Sequence, residues 1–300
     1  MLPPVAAGVD GSAESLAAAE WAAREAVRRE RALRLVHARD WHPRQEDGVM
    51  ANAAQRHLAG RVLRQAAQRV RVACPDLNPY EDQVEGPATG ALLKAAAEAE
   101  LLVLGSRGLS RPTGFLVGSV ALGVVARAVR PVVLVRAGLR AADEHFPAGD
   151  AGADVRPGHR DVLLGVDAGH PCEEVLRFAF EAARLRGARL RVLYAWHSPT
   201  PLALGPSAAA ALDDPWRAEE ELGAVDAVLR PWHEEYPGVR VLVTAVGDLP
   251  SAALVRAATG AGLVVVGHRL VERAGPPCTG PVTHAVIHHV GCPVAVVPHF

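Results

Sequence analysis

Three hundred residues, 50% of them hydrophobic, suffice for one large domain or two of ordinary size, each with a substantial core. Lys and Arg number 32 against 33 Asp and Glu, and this net charge of −1 removes the electrostatic case for nucleic acid or an anionic membrane as partner. No apolar run reaches the ~20 residues that span a bilayer. The opening Met1-Leu2-Pro3-Pro4-Val5 lacks a basic segment leading into an apolar one, so no signal peptide is expected and the chain reads as cytoplasmic. The four cysteines, Cys74, Cys172, Cys278 and Cys292, form no C-x-x-C pair and read as small hydrophobes.

In chain order, Val5–Val9 is a short apolar run that predicts a first strand, and Ser12 is placed to cap the helix after it. Along that helix Leu16, Ala19, Ala23, Ala26 and Val27 are expected on the buried face, with Arg24, Glu25, Arg28 and Arg29 pointing away. Leu33–Ala38 gives a second strand, and Leu58, Val62, Ala66 and Val70 mark a second amphipathic helix. A third strand is expected near Tyr80–Val84, then a helix carrying Leu92, Ala95 and Ala99. The strands Leu101–Leu104 and Val132–Val135 complete the set. Unbroken apolar strands separated by helices indicate an α/β fold with a parallel sheet covered on both faces. Ligands of such sheets bind beyond the carboxyl ends of the strands, where strand order reverses, so Asp10 and Gly105 fall on one cleft.

The chain is written twice. Val5-Ala6-Ala7-Gly8-Val9-Asp10 matches Val162-Leu163-Leu164-Gly165-Val166-Asp167, and Leu33–Ala38 matches Leu190–Ala195, both at an offset of 157. Leu101–Gly105 matches Leu263–Gly267 and Pro131–Val135 matches Pro293–Val297 at an offset of 162, which implies a five-residue insertion between the second and fourth strands of the later copy. The polar, small-residue stretch between the copies reads as a linker. The expected division is a first domain over 1–138, a linker over 139–159 and a second domain over 160–300.

Gly105-Ser106-Arg107-Gly108, followed after nine residues by Gly118-Ser119, joins the fourth strand to a helix beginning near Val120. The first turn of a helix leaves its amides unpaired, and such a junction suits an anion, most often a nucleotide phosphate. Glycine there permits close approach and φ > 0. A glycine-rich turn without a ligand is the other reading of the same residues. His284 and His288 share a helix face, but no third ligand accompanies them, and no metal site is expected.

The spacing Gly105-x2-Gly108-x9-Gly118-Ser119, with Gly8-Val9-Asp10-Gly11-Ser12 before it and Pro131-Val132-Val133-Leu134-Val135 after it, resembles the universal stress protein family, whose nucleotide motif is G-x2-G-x9-G-(S/T). The resemblance spans both copies. It implies two tandem domains, each a five-stranded parallel sheet of order 3-2-1-4-5 with helices on both faces. It also implies ATP in the first copy's cleft, with Mg2+ as a candidate companion. Carried onto this sequence, Asp10 would lie near the ribose or the magnesium ion, Ala38 would line the adenine pocket, and Val9 would sit beside it. Gly105, Arg107 and Gly108 would wrap the ribose and phosphates, while Gly118, Ser119 and Val120 would bind the phosphate chain. By residue chemistry Ser119 adds a hydroxyl to its amide, and Arg107 or Arg111 can add charge-assisted contacts. Asp10 also reads as a capping or turn residue. In the family the final strands pair between domains, which implies an intramolecular pseudo-dimer and leaves a homodimer and a protein partner open.

The later copy keeps the spacing but changes the chemistry: Gly267-His268-Arg269-Leu270, then nine residues, then Gly280-Pro281. Leu270 in place of the second glycine is expected to be strained at positive φ and to crowd the cleft. Pro281 lacks the amide and the hydroxyl of Ser119. The loss of two such contacts is worth about two decades of affinity or more. The expectation is one competent and one degenerate site, in an ATP-binding stress-response regulator with no catalytic residues assigned. A nucleotide-independent interaction module and a slow ATP-using enzyme are the alternatives. Neither a P-loop lysine nor a G-x-S-x-G elbow appears.

Overall fold

The computed structural model describes residues 2–39, 48–106, 117–146, 158–196, 215–270 and 279–300. The chain divides into two compact units, one built on Met1–Ala141 and the other on Ala142–His268 with Gly280–His299.

In the first unit the elements run β1 (Val5–Gly8), α1 (Ala13–Arg29), β2 (Leu33–Arg39), α2 (Gly48–Ala73), β3 (Tyr80–Glu85), α3 (Ala88–Ala97), β4 (Leu101–Ser106), α4 (Ser119–Val125) and β5 (Val132–Arg136). Their order across the sheet is β3-β2-β1-β4-β5, with every adjacent pair parallel. β1 is central, Val5 standing opposite Leu33 on one side and Leu101 on the other. The strand order reverses beside it. β3, by contrast, reads Tyr-Glu-Asp-Gln-Val-Glu and alternates exposed with half-buried residues, the polar composition that protects a sheet edge. α1 packs with α2, and α3 with α4.

Ser12 caps α1 as expected, its hydroxyl oxygen accepting the Ser15 N–H at 3.2 Å. Alanines 17, 18, 19, 22, 23 and 26 are buried and bring the helix close to the sheet. Two features of this helix correct the sequence reading. Val27 is 53% exposed, whereas Glu25 and Arg29, expected to point outward, are buried. They are held by one another and by a distant acid: Arg29 Nε donates to Glu25 at 2.7 Å and Nη1 to Glu100 at 2.7 Å, while Arg31 Nε donates to the other Glu100 oxygen at 2.5 Å. A buried charge is tolerated only when it is paired in this way. Along α2, Leu58 is exposed, and Ala59, Leu63, Ala66, Ala67 and Val70 form the buried stripe.

The second unit repeats the plan with β6 (Val162–Val166), α5 (Glu173–Arg186), β7 (Leu190–Trp196), α6 (Pro215–Glu235), β8 (Val241–Gly247), α7 (Pro250–Ala257), β9 (Leu263–Arg269), α8 (Pro281–His289) and β10 (Val294–His299). Its strand order is β8-β7-β6-β9-β10, the same 3-2-1-4-5 arrangement. Arg34 pairs with Tyr80 and its counterpart Arg191 with Leu242, so the offset is already 162 at the third strand. The insertion therefore falls between the second and third strands. Before β6, a 3-10 turn at Ala141–Glu144 leads to an antiparallel bridge between His145 and His159.

Candidate functional site

Beyond the carboxyl ends of β1, β2 and β4 lies a cavity of about 260 Å³. Seven of the residues singled out from the sequence line it: Val9, Asp10, Ala38, Gly105, Gly118, Ser119 and Val120. The chain separates the first from the last by more than a hundred positions, and the parallel topology brings them to one place. Arg107, Gly108 and Arg111 lie outside the described residues.

Asp10 opens the turn into α1. Its Oδ1 accepts the Ser12 N–H at 2.9 Å and the Ser12 hydroxyl at 2.5 Å, and its own N–H donates to Ser15 Oγ at 3.3 Å. Burial works to raise the Asp10 pKa, but the Ser12 hydroxyl and amide, with Ser15, together outweigh it and hold the carboxyl below its ordinary value. The turn role that its sequence position allowed is thus real, and it coexists with a place on the cavity wall.

Val9 contributes only its side chain. Its N–H donates to the Val36 carbonyl at 2.8 Å, and its carbonyl lies 2.7 Å from Nδ1 of His37. With Val36, Leu92, Leu104 and Val120 it makes an apolar wall. His37 itself lines the cavity and was not foreseen. The available signal was an imidazole between Val36 and Ala38, next to the point where strand order reverses.

The two motif glycines within the described residues act differently from expectation. Neither has positive φ. A Cβ on Gly105 would stand 2.5 Å from the Glu14 carbonyl carbon and 2.7 Å from the Ser15 nitrogen, so the glycine is required by the first turn of α1, whose backbone lies on β4. Gly118 is extended (φ −62°, ψ 149°), and a Cβ there would meet nothing within 4 Å. Its missing side chain leaves space before the first turn of α4. The amides of Ser119, Val120 and Ala121, at the start of that helix, have no carbonyl one turn earlier in it to pair with. The arrangement offers an apolar wall, an ionised carboxylate and a set of main-chain donors, a combination suited to a small molecule with an anionic end.

The corresponding place in the second unit is built otherwise. By the 157-residue offset His170 stands where α1 begins at Ala13, but α5 begins only at Glu173, after Pro171 and with an N-cap, Cys172, that makes no side-chain cap bond. The first turn of α1 therefore has no helical counterpart. A Cβ on Gly267 would meet side chains instead of backbone, His299 Nε2 and Val175 Cγ2, each at 3.1 Å. Asp167 accepts the Gly169 N–H at 3.0 Å, and its other oxygen lies 3.5 Å from His170 Nδ1. α8 opens with Pro281, and the Thr283 hydroxyl donates to the Gly267 carbonyl at 2.9 Å. Leu270 does not show the expected strain, since Glu30 alone among the described non-glycine residues has positive φ.

Among the described residues no group of three or more His, Cys, Asp or Glu is placed to hold a metal ion. The His284 and His288 rings lie with centroids 4.3 Å apart and planes tilted by 41°, and burial, with the nearby His288 and His289, pushes the His284 pKa down. No helix of the described residues is long and apolar enough to cross a membrane.

Comparison with known proteins agrees with the fold. A model of the universal stress protein family matches residues 1–136 and 158–298. Over 300 residues the chain is 31% identical to Universal stress protein Rv2005c of Mycobacterium tuberculosis, covering 97% of this chain and 96% of that one. It is 29% identical to Universal stress protein Rv1996 of the same organism, covering 97% and 94%. A solved universal stress protein from Archaeoglobus fulgidus shares the fold over 98% of both chains, with a TM-score of 0.72 at 17% identity.

Proposed function

The chain belongs to the universal stress protein family, and on that premise we propose that its first unit binds ATP and that nucleotide occupancy regulates a stress response. The observation that carries this reading is the convergence on one cavity of the residues Val9, Asp10, Ala38, Gly105, Gly118, Ser119 and Val120. In it the base lies against the side chains of Val9 and Ala38. The phosphates lie at the opening of α4, where the Ser119 hydroxyl joins the unpaired amides. The Asp10 carboxylate, held below its ordinary pKa, serves the ribose hydroxyls or a magnesium ion that accompanies the nucleotide. A bound nucleotide would order the residues it bridges, and the resulting change in surface is what a partner reads.

The test is ATP binding by equilibrium dialysis, on the native chain and on Gly118→Asp and Gly280→Asp variants. Asp suits the extended φ of both glycines, and a Cβ at either meets nothing within 4 Å, so both variants are expected to fold. One ATP per chain is expected. Gly118→Asp places a carboxylate on the anion site and lowers affinity by roughly two decades, the size of losing two charge-assisted contacts; Gly280→Asp leaves it unchanged. No binding, two ATP per chain, or loss confined to Gly280→Asp would refute the assignment.

A further inference from the structure

We propose that the outer edge of β8 docks a second copy of this chain, pairing antiparallel with the same strand of that copy to give a dimer of twofold symmetry.

The free main-chain groups of β8 carry the inference. β8 closes one side of its sheet, and among the described residues it is hydrogen-bonded to β7 alone. The Leu190 N–H donates to the Arg240 carbonyl at 2.8 Å, which fixes the phase of the parallel ladder. Even-numbered residues of β8 therefore turn their N–H and C=O toward β7, while Val241, Val243, Ala245 and Gly247 turn theirs outward. Among the described residues nothing pairs with those outward groups.

Natural sheets guard such an edge with charge or proline. β3, the corresponding edge of the first unit, carries Glu81, Asp82 and Glu85. β8 reads Val-Leu-Val-Thr-Ala-Val-Gly and has neither guard, and its Leu242 is 46% exposed. An unpaired, uncharged edge of seven residues is a template for another strand. It lies opposite β10, the strand through which the family resemblance implies pairing.

The flanking residues choose the occupant. Arg240 stands one residue before β8, and Asp248 one residue after it. Two identical edges related by a twofold axis run antiparallel. With the axis at Thr244, outward residues meet outward residues: Val243 faces the partner's Ala245, and Val241 faces the partner's Gly247, each pair exchanging N–H to C=O bonds. Leu242 falls opposite the partner's Val246, and the two threonines meet on the axis, pairings that stabilise antiparallel strands. The same register sets Arg240 against the partner's Asp248 at both ends. Arg240 is exposed and has no ion pair among the described residues. Asp248 accepts from Arg256 and from the Leu249 N–H, yet its side chain is 35% exposed and a carboxylate takes further donors. A register shifted along the edge separates both pairs.

The test is sedimentation velocity of the full chain over a wide concentration range, on the native protein, on Ala245→Pro, on Arg240→Asp, and on Arg240→Asp with Asp248→Arg added. The native chain is expected to show a monomer–dimer equilibrium. Ala245→Pro removes an outward N–H that the monomer does not use, so the fold stays and the dimer is lost. Arg240→Asp opposes two carboxylates at each end and should weaken the dimer by roughly tenfold. Adding Asp248→Arg restores opposite charges and should recover most of that loss. Circular dichroism checks each variant; if Ala245→Pro misfolds, the two charge variants, which lie outside the strand, decide alone. A native chain that stays monomeric overturns the proposal, as does a dimer that survives Ala245→Pro or is indifferent to Arg240→Asp. Open-ended assembly, the mark of β8 pairing with a different surface of the next copy, overturns it too.

Discussion

Gly105 and Gly267 occupy the same place in the two units, near the end of the fourth strand, and they are glycine for different reasons. At Gly105 the neighbour is main chain, the Glu14 carbonyl carbon and the Ser15 nitrogen. At Gly267 the neighbours are the tips of His299 and Val175. The cause lies outside both strands. α1 begins just past Ser12, whose hydroxyl caps it, whereas the counterpart of Ser12 is Gly169, and Pro171 precedes the start of α5 at Glu173. A whole turn of helix thus covers β4 in one unit and is missing in the other. Identical motif letters can therefore hide different packing, and the chemistry of a strand end depends on the helix that lies on it.

The buried charges diverge in the same manner. Arg29 meets Glu25 one turn earlier in its helix, and the residue in that place below its counterpart Arg186 is Ala182, whose carbonyl accepts from Arg186 at 3.2 Å. In the second unit Asp161 accepts from Arg189 at 2.7 Å. Arg29→Met leaves Glu25 buried without its closest partner, and the full chain should lose about 3–5 kcal/mol. Arg189 is 48% exposed, but its partner Asp161 is buried, so Arg189→Met should cost less than Arg29→Met, about 1–3 kcal/mol. Urea unfolding of both variants measures the contrast; equal losses would remove it.

A smaller difference is expected between Gly105→Ala and Gly267→Ala. Backbone at 2.5 Å cannot yield without moving α1, so the first should destabilise by roughly 2–3 kcal/mol, while side chains at 3.1 Å can turn aside for about 1 kcal/mol or less. Thermal midpoints of the two variants, read side by side, decide it.

The least effect sharpens the comparison at the end of the first helix. α1 closes on Glu30 in the left-handed region (φ 54°, ψ 47°), and α5 closes on Gly187 with nearly the same angles (φ 58°, ψ 26°). Transplanting the glycine, as Glu30→Gly, should stabilise the chain by up to about 1 kcal/mol, because the steric cost of a Cβ there disappears. Gly187→Ala should lose a similar amount. A fall in the midpoint for Glu30→Gly would show that the Glu30 side chain contributes more than its backbone costs.

Much of the fold was legible because its signals are local. Apolar strand runs, the Ser12 cap and the two offsets of the repeat led to the order of elements and to the cleft between β1 and β4. The outward face of α1 was misread for an equally physical reason. A helical wheel assigns charges to solvent, and the partner that lets Arg29 be buried, Glu100, lies 71 positions away. Likewise the glycine spacing pointed at a ligand, although Gly105 answers first to a helix turn of its own chain. His37 looked like any strand residue until the fold set its Nδ1 2.7 Å from the Val9 carbonyl.

By itself, then, the sequence determined that the chain is a duplicated α/β protein with parallel sheets, since hydrophobic period and capping act over a few residues and leave their mark on neighbouring letters; the order 3-2-1-4-5 came only with the resemblance to a known family. Tertiary structure alone decided which charges are buried, why Gly105 has no side chain, and that an imidazole stands in the cleft. These depend on atoms brought within 3 Å by the sheet after tens of residues of intervening chain, and no local pattern encodes such distances.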